Sequence, residues 1–329
     1  MRSGFSSEAD IIRAIRRIAS RPKDRRLVLP IGDDAAAFRV HPGRLLLVST
    51  DALVEGVHFD FRYCSPEDLG WKALAVNLSD IAAMGGIPLY VTTSIALPSK
   101  GLPDFISRFY RGLTALARQH SVTLIGGDTC RSLKGVFLDL TIIGDVEPTH
   151  LLTRQGAKPG DSLYVTGELG GSSVGLELLS RSKKPVPRSV AIRRHLRPQP
   201  RCAAGRFLAE RKLVSAMIDL SDGLSTDLAH LCDQSGVGAV VEASRLPLVR
   251  IPVRQRQFLS HAAPHYALHG GEDYELLFAV PSRLSQSVPN RIGGLPVQRI
   301  GCITRSSGIW LLEGNRKHRL HPSGFDHFA

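Results

Sequence analysis

The sequence has no uninterrupted apolar run that approaches the roughly 20 residues a membrane-spanning helix requires. It has few cysteines, and the five present lie far apart, are odd in number and never form a CxxC pair. This spacing argues against a zinc ribbon and against a disulfide framework. Residues 1–20 lack the apolar h-region of a secretory signal, and their apolar residues recur at helical spacing instead. We therefore expect a cytoplasmic globular protein.

The common nucleotide-binding signatures are also absent. The chain contains no GxxxxGK[ST] motif and no well-placed GxGxxG motif, so neither a P-loop nor a dinucleotide-binding loop is predicted. Two glycine-rich stretches, residues 126–128 and 167–173, could instead bring backbone N–H groups close to a phosphate. For the second stretch, a plain turn between a strand and a helix explains the residues equally well.

Positive charge is distributed unevenly along the chain, whose net charge is +12. Most of the excess lies in the second half, and residues 181–212 contain eleven basic residues and one acid. Phe207 is the only aromatic residue in that segment, which argues against base stacking on a single strand. No helix-turn-helix, RNA-recognition or zinc-finger signature accompanies the charge. We interpret the segment as a solvated basic face and predict no nucleic-acid or membrane partner, with a nucleic-acid-binding protein as the rival from another class.

A length of 329 residues exceeds the size at which one hydrophobic core stops growing, which predicts two domains. Apolar runs alternate with helical periodicity in both halves, which predicts an α/β fold with domains at 1–148 and 149–329. In the first domain the pattern predicts a helix around residues 11–18, strands at 45–49, 89–97, 122–125 and 136–143, helices at 68–84 and 102–120, and a turn at the Gly-Gly-Asp sequence. In the second it predicts strands at 163–166 and 276–280 and helices at 167–180 and 222–233.

Acidic residues stand beside glycine or small hydroxyl residues at five places where elements are predicted to end. Each place alone fits an ordinary turn or a helix N-cap. Together they favour a site for Mg²⁺, which takes hard oxygen ligands and is usually held by one or two carboxylates and substrate phosphates. Such ions neutralise a polyphosphate in phosphoryl transfer. The five places are GDD (32–34), STD (49–51), NLSD (77–80), GGD (126–128) and DLSDG (219–223).

Eight longer motifs run nearly end to end through the chain. They are GDDAA (32–36), STDALVEGVHF (49–59), DLGWKALAVNLSDIAAMGG (68–86), GGDTCRS (126–132), LTRQGAKPGD (152–161), DLSDGLSTDL (219–228), GGEDYELLF (270–278) and GFDHF (324–328). In this order they resemble the thiamine-monophosphate kinases. Related members of the aminoimidazole-ribonucleotide-synthetase-like superfamily share the acidic ATP site but lack the STD…GVHF and GFDHF segments. The chain departs from the family at Pro30, where glycine is usual, and at Cys130, where threonine is usual; we expect Cys130 to be structural.

The resemblance implies a two-domain α/β fold of the aminoimidazole-ribonucleotide-synthetase-like architecture, with the N-terminal sheet pairing across a homodimer. It also implies several Mg²⁺ ions and ATP as the phosphoryl donor. The family's magnesium positions correspond to Asp33, Ser49, Thr50, Asp51, Asp80, Asp128, Asp219 and Asp222. Its ATP contacts correspond to Gly127, Asp128, Arg154 and Ser221, and its substrate contacts to His58, Glu272 and Phe325.

The expected reaction is ATP-dependent phosphorylation of thiamine monophosphate to thiamine diphosphate by direct in-line transfer. An oxygen of the acceptor phosphate attacks the γ-phosphorus of ATP while magnesium screens the two anions. Because that oxygen is already ionised at neutral pH, no catalytic side-chain base is predicted. The nearest rivals are other ATP-using enzymes of the superfamily, such as selenophosphate synthetase or aminoimidazole ribonucleotide synthetase. Selenophosphate synthetase carries a reactive cysteine or selenocysteine near its N-terminus, whereas the first cysteine here is Cys64.

Overall fold

The structure is a computed structural model that describes residues 14–15, 17–18, 25–29, 35–98, 104–181 and 189–327. The chain divides into two compact units, the first comprising residues 1–81 and 87–148 and the second residues 82–86 and 149–329. Segment 82–86, which the sequence assigned to the first domain, therefore belongs to the second unit. Among the described helices, none is long and apolar enough to cross a bilayer.

In its described residues the first unit contains a small ribbon, a four-stranded sheet and two helices. The elements are β1 (Leu27–Leu29), β2 (Ala37–Phe38), β3 (Leu45–Val54), α1 (Pro66–Ala83), β4 (Ile87–Pro98), α2 (Phe105–Gln119), β5 (Thr123–Ser132) and β6 (Phe137–Val146). The sheet has the order β3-β6-β4-β5. Strands β4 and β5 run parallel, and α2 supplies the crossover that a parallel pair requires. Strands β3 and β5 are therefore the two edges of the described sheet.

Helices α1 and α2 pack closely because each has a glycine at the crossing. A Cβ atom at Gly70 would lie 2.0 Å from the carbonyl oxygen of Phe109, and one at Gly112 would lie 1.9 Å from that of Glu67. The Arg108 guanidinium also donates to both carboxylate oxygens of Glu67 at 2.9 Å. Side chains at the two glycines are thus excluded by backbone atoms of the opposite helix.

The two faces of the four-stranded sheet differ in burial. Along β3, Leu47 and Leu53 are buried on the inner face, which the helices cover. On the outer face Leu46 is 48% exposed and Val48 is 66% exposed. The ribbon β1-β2 covers only one end of that outer face, where the Phe38 ring packs on Tyr90. A long strand with large apolar residues facing solvent is typical of a surface that pairs with another chain.

The second unit is built on a larger sheet. Its elements are β7 (Ser162–Thr166), α3 (Gly171–Arg181), α4 (Val190–Leu196), α5 (Cys202–Glu210), β8 (Ala216–Asp219), α6 (Leu224–Ser235), β9 (Gly238–Glu242), α7 (Val253–Arg256), α8 (Ala263–His269), β10 (Leu276–Val280), β11 (Arg291–Ile292), β12 (Leu295–Thr304), β13 (Gly308–Glu313) and β14 (Arg316–Arg319). The order is β14-β13-β9-β12-β7-β10-β8, with β11 paired to β12. Short 3₁₀ turns occupy Pro148–His150, Ala243–Arg245 and Ser282–Ser287.

One apolar core fixes where the acidic loop of this unit begins. Leu163 of β7, Leu277 of β10 and Leu228 of α6 are fully buried in the same cluster. Ile218 of β8, 2% exposed, joins them and is followed directly by Asp219. Because β8 is buried, the Asp219 carboxylate lies at the edge of the core, where the chain turns toward α6.

The two-domain α/β architecture expected from the sequence is confirmed, but several predicted element ends were wrong. Strand β3 was predicted to end at Ser49, yet it continues to Val54, so Asp51 lies inside it. The predicted Gly-Gly-Asp turn lies within β5, because this stretch pairs with β4 in register, Thr93 opposite Gly127. The predicted early helix falls mostly outside the described residues. Helices α4, α5, α7 and α8 and strands β1, β2, β8, β9 and β11–β14 were not predicted.

Replacing Gly112 by alanine will destabilise the first unit, because the new Cβ would push the two helices apart. We expect a loss of about 1–3 kcal/mol, measured as a fall in Tm by calorimetry. Gly126→Ala is the matched control, since its Cβ would meet Thr92 Cγ2 at an ordinary 3.6 Å. Equal Tm values for the two variants would contradict the packing described for α1 and α2.

Candidate functional site

Three of the predicted magnesium ligands gather on the inner face of the N-terminal sheet. Ser49 and Asp51 are two residues apart on β3, so their side chains point to the same face. The Ser49 hydroxyl donates to the carboxylate of Asp80 on α1. Ser49, Asp51 and Asp80 are all half-buried. A seryl oxygen and two carboxylates are the hard ligands that Mg²⁺ takes.

The position of Asp80 on its helix adds to the negative charge of this cluster. Asp80 lies in the last turn of α1, and that turn contains no basic residue. The C-terminal end of a helix carries partial negative charge, so an aspartate there is unfavourable unless a cation is near. A cation bound beside Ser49, Asp51 and Asp80 would offset this negative charge.

Thr50 lies apart from this group. It is on the outer face of β3, where its hydroxyl donates to Asp139 Oδ1 at 3.0 Å and lies 3.3 Å from the hydroxyl of Thr141. The Thr50 side chain consequently does not join Ser49 and Asp51, and its role as a magnesium ligand stays a prediction.

Gly127 and Asp128 lie on the opposite edge of the same sheet from Asp51. The register aligns Asp51 with Leu140, Thr93 and Gly127 in one row across the strands, and Asp128 falls in the next row. With two strands between them, the backbones of β3 and β5 are roughly 14 Å apart, and successive residues point to opposite faces. Within one chain, Asp51 and Asp128 therefore cannot hold the same ion.

His58 sits in the turn that follows β3. Its Nδ1 accepts a hydrogen bond from the Val54 N–H at 3.0 Å, which places the proton of a neutral ring on Nε2. Its carbonyl oxygen accepts from Nζ of Lys72, a side chain that is 1% exposed. The hydrogen bond from the Val54 N–H thus holds the imidazole at Nδ1. Asp33 and Pro30 lie outside the described residues.

In the second unit, two loops are joined by backbone hydrogen bonds. The N–H of Glu272 donates to the Ser221 carbonyl at 2.7 Å, and the N–H of Tyr274 donates to the Leu220 carbonyl at 2.8 Å. Glu272 and Tyr274 both have left-handed backbones, at φ 65° and 51°. Non-glycine residues in this region are strained, and such strain concentrates at functional sites. The pairing fixes Ser221 beside Glu272.

The C-terminal segment docks on the same loop. The N–H of Phe325 donates to the Asp222 carbonyl at 3.1 Å, and the N–H of Gly324 donates to the Thr226 hydroxyl at 3.0 Å. A side chain at position 324 would collide with the Asp222 carbonyl, at 2.1 Å from its Cβ. The Phe325 ring remains 46% exposed and lies edge-on to His327. The structure thus brings Asp219, Ser221, Asp222, Glu272 and Phe325 together.

Burial, and for Asp227 also the charges of nearby carboxylates, raises pKa values in this loop. Burial, and then the charges of Asp219 and Asp222, raise the pKa of Asp227 to about 8, although its carboxylate accepts from the N–H groups of Asp222 and Gly223. Burial also raises the pKa of Asp222, against the lowering effect of charges that include Arg154. Arg154 is exposed and acts electrostatically on this loop. A cation would relieve the repulsion among the three aspartates.

These donor sets suit Mg²⁺ that is shared with phosphate oxygens. Within the described part of the chain, no three His, Cys, Asp or Glu side chains converge into a complete metal site. Mg²⁺ seldom uses an all-protein cage, and it keeps waters or takes substrate phosphates as remaining ligands. The carboxylates therefore fit the ion as partial ligand sets.

Asp273 already occupies the second glycine-rich stretch proposed as a phosphate cradle. Its Oδ2 accepts from the Gly170 N–H at 2.5 Å and its Oδ1 from the Ser172 N–H at 3.0 Å. Burial raises the pKa of Asp273 to about 7, and the two N–H donors oppose that rise. An internal carboxylate takes the place that a phosphate would have at this turn. Residues 167–173 are thus a structural turn between β7 and α3.

Sequence reasoning missed Asp227, Asp273 and His195, which support the loops from behind. His195 Nδ1 lies 3.1 Å from Glu272 Oε2, and the histidine side chain is 3% exposed. His195 carries no local motif and meets Glu272 only through the fold. For Asp227 and Asp273 the available signals were the polar GLSTDL and GGED patterns around them.

Comparisons with known proteins identify the family to which the chain belongs. The family model "AIR synthase related protein, N-terminal domain" matches residues 32–146, and "AIR synthase related protein, C-terminal domain" matches residues 158–310. The thiamine-monophosphate kinase of Bacillus subtilis is 38% identical over 309 residues, which cover 91% of this chain and 93% of the relative.

Two solved structures are similar along nearly the whole chain. A crystal structure of thiamine-monophosphate kinase from Stenotrophomonas maltophilia K279a is 36% identical, with a TM-score of 0.80, covering 92% of this chain and 94% of that one. A structure described as AaThiL complexed with AMPPCP and TMP is 33% identical, with a TM-score of 0.77, covering 98% and 97%. The chain therefore belongs to the AIR synthase related family and, within it, to the thiamine-monophosphate kinases.

Proposed function

We propose that this chain transfers a phosphoryl group from ATP to thiamine monophosphate, giving thiamine diphosphate. The observation that carries the proposal is the pair of loops joined by backbone bonds that gathers Ser221, Asp222 and Glu272 beside Phe325. Acidic groups suited to magnesium thus lie next to an aromatic ring and a carboxylate suited to an organic cation. The relatives are named thiamine-monophosphate kinases, and one structure is described as a complex with AMPPCP and TMP.

Magnesium would be held by two sets of side chains. In the first unit these are Ser49, Asp51 and Asp80, and in the second Asp219 and Asp222. When bound, the metal supplies the positive charge that offsets the charges of ATP and of the acceptor phosphate. The aspartates act as ligands, because a phosphate oxygen ionised at neutral pH needs no base.

Other residues bind and orient the two substrates. Arg154 is exposed beside the acidic loop, and its planar guanidinium can take two polyphosphate oxygens at once. The Phe325 ring offers its face to the thiazolium or pyrimidine ring. Glu272 offers a carboxylate to the cationic or amino-bearing part of the same molecule. His58, in the first unit, is the remaining proposed substrate contact, and the Val54 N–H holds its imidazole at Nδ1.

The rival enzymes of the superfamily are disfavoured by the relatives, since the ones described above are thiamine-monophosphate kinases along more than nine-tenths of the chain. A nucleic-acid-binding role is disfavoured by pairing within the basic segment, where Arg194 binds Glu168 and Arg201 binds Glu275. The cytoplasmic location of the protein stays a prediction.

The direct test is an ATP-consumption assay with thiamine monophosphate, free thiamine or no acceptor, with the product mass measured. We expect ATP to be consumed only when thiamine monophosphate is the acceptor, and the product to be one phosphoryl group heavier than thiamine monophosphate. Equal turnover with free thiamine, or turnover that does not depend on an acceptor, would refute the proposed substrate.

Phe325→Ala should raise the KM for thiamine monophosphate by roughly tenfold and leave the KM for ATP nearly unchanged, because a cation over an aromatic face is lost. Steady-state kinetics with each substrate varied in turn measures both values. Phe258→Ala is the matched control, since Phe258 is similarly exposed, at 53%, and lies outside the docked segment. Equal rises in both KM values would remove the role given to Phe325.

The proposal includes a homodimer formed through the N-terminal sheet. Val48 and Leu46 expose apolar surface on its outer face, and β3 and β5 leave long strand edges on opposite sides of the described sheet. Exposed edges and apolar faces of this kind are usually covered by a partner. Two such sheets closing edge to edge would place β5 of one copy next to β3 of the other.

A further inference from the structure

His195 is a buried histidine on α4 that the proposed function does not yet use. Helix α4 packs tightly on α3, because Gly175 has no side chain: a Cβ there would lie 2.3 Å from the carbonyl oxygen of Ala191. Ser189 begins α4 by accepting a hydrogen bond from the Ile192 N–H. This packing places the His195 side chain beside the start of α3 and beside the loop that contains Glu272, and the side chain is only 3% exposed.

The contacts of His195 determine which ring nitrogen carries its proton. Nδ1 lies 3.1 Å from Glu272 Oε2 and 3.1 Å from the hydroxyl oxygen of Ser172. An ionised carboxylate can only accept hydrogen bonds. An unprotonated Nδ1 would face that carboxylate as a second acceptor, so Nδ1 must carry the hydrogen and donate it. The Ser172 hydroxyl, on the other side of Nδ1, is free to rotate to suit this arrangement.

The contact with His195 matters because the backbone conformation of Glu272 does not by itself fix the orientation of its side chain. The backbone is fixed in the left-handed region and is held by the Ser221 carbonyl. The side chain has three rotatable torsions and is 24% exposed, so the backbone alone does not direct the carboxylate. A donor at Oε2 fixes the orientation of the carboxylate on the same loops that carry Asp222 and Phe325.

We propose that His195 is a positioning residue, which holds the Glu272 carboxylate through Nδ1–H in the orientation that binds the organic cation of the acceptor substrate. This inference rests on the proposed function for the identity of that substrate. It assigns His195 no contact with ATP and no part in the transfer step. The affinity for the acceptor therefore depends on His195, while the affinity for ATP and the turnover number do not.

Two amide substitutions separate positioning from simple packing. In His195→Asn the side-chain amide can place an N–H near the native Nδ1, whereas in His195→Gln it lies nearer Nε2. We expect His195→Gln and His195→Ala to raise the KM for thiamine monophosphate roughly tenfold, with kcat and the KM for ATP within about twofold. His195→Asn should restore the KM to within about threefold of native. His120→Asn, at a half-buried histidine that ends α2, is the control and should change neither KM.

A substrate-independent measurement accompanies the kinetics. Long-range ¹H–¹⁵N NMR of the native protein labelled on histidine nitrogens, with His195 assigned from the spectrum of His195→Asn, should show a protonated Nδ1 that shifts in Glu272→Ala. An unprotonated Nδ1, or a signal that Glu272→Ala leaves in place, overturns the proposal even if the variants are unstable. Equal rises in both KM values, or Asn behaving like Gln, overturns it as well. A native protein that fails to phosphorylate thiamine monophosphate defeats the proposed function instead, and the NMR result then decides the His195 contact alone.

Discussion

Repulsion among carboxylates that are close together and poorly solvated is the constraint on which the candidate site depends. Asp227 has a pKa raised to about 8 by burial and by the charges of Asp219 and Asp222. Asp80 adds a negative charge at the negative end of α1. A folded chain retains such arrangements at a cost in stability, and a divalent cation removes that cost. Under the proposed function, magnesium and a polyphosphate bind where these carboxylates gather.

The backbone, more than the side chains, sets the geometry around these charges. Ser221 and Glu272 are joined through main-chain atoms, and the C-terminal segment is tied to the Asp222 carbonyl in the same way. Gly324 permits this close approach because it has no side chain. Behind the loops, Asp273 fills the turn before α3 as an internal anion, and His195 holds the carboxylate of Glu272. A rigid frame of this kind orients ligands before a substrate arrives.

Local patterns in the sequence predicted much of the fold and the composition of the site, but not its connections. The apolar run at the start of β3 and the helical pattern of α1 depend on neighbouring residues, and both elements are present, although β3 extends beyond its predicted end. The strand through Gly127 depends on pairing with β4, which outweighs the preference of glycine for turns. His195 and Glu272 are 77 residues apart, so their contact exists only once α3 and α4 have packed. Thr50 and Asp51 point to opposite faces of the sheet because β3 continues through both residues, which the sequence did not predict.

The most direct measurement is isothermal titration calorimetry of a non-hydrolysable ATP analogue with and without Mg²⁺. If the acidic loops serve to bind a magnesium–nucleotide complex, Mg²⁺ should raise the affinity for the analogue at least roughly tenfold in the native protein. That gain should be lost in Asp222→Asn. Equal affinity in the presence of Mg²⁺ and of a chelator would contradict the central role given to the carboxylates.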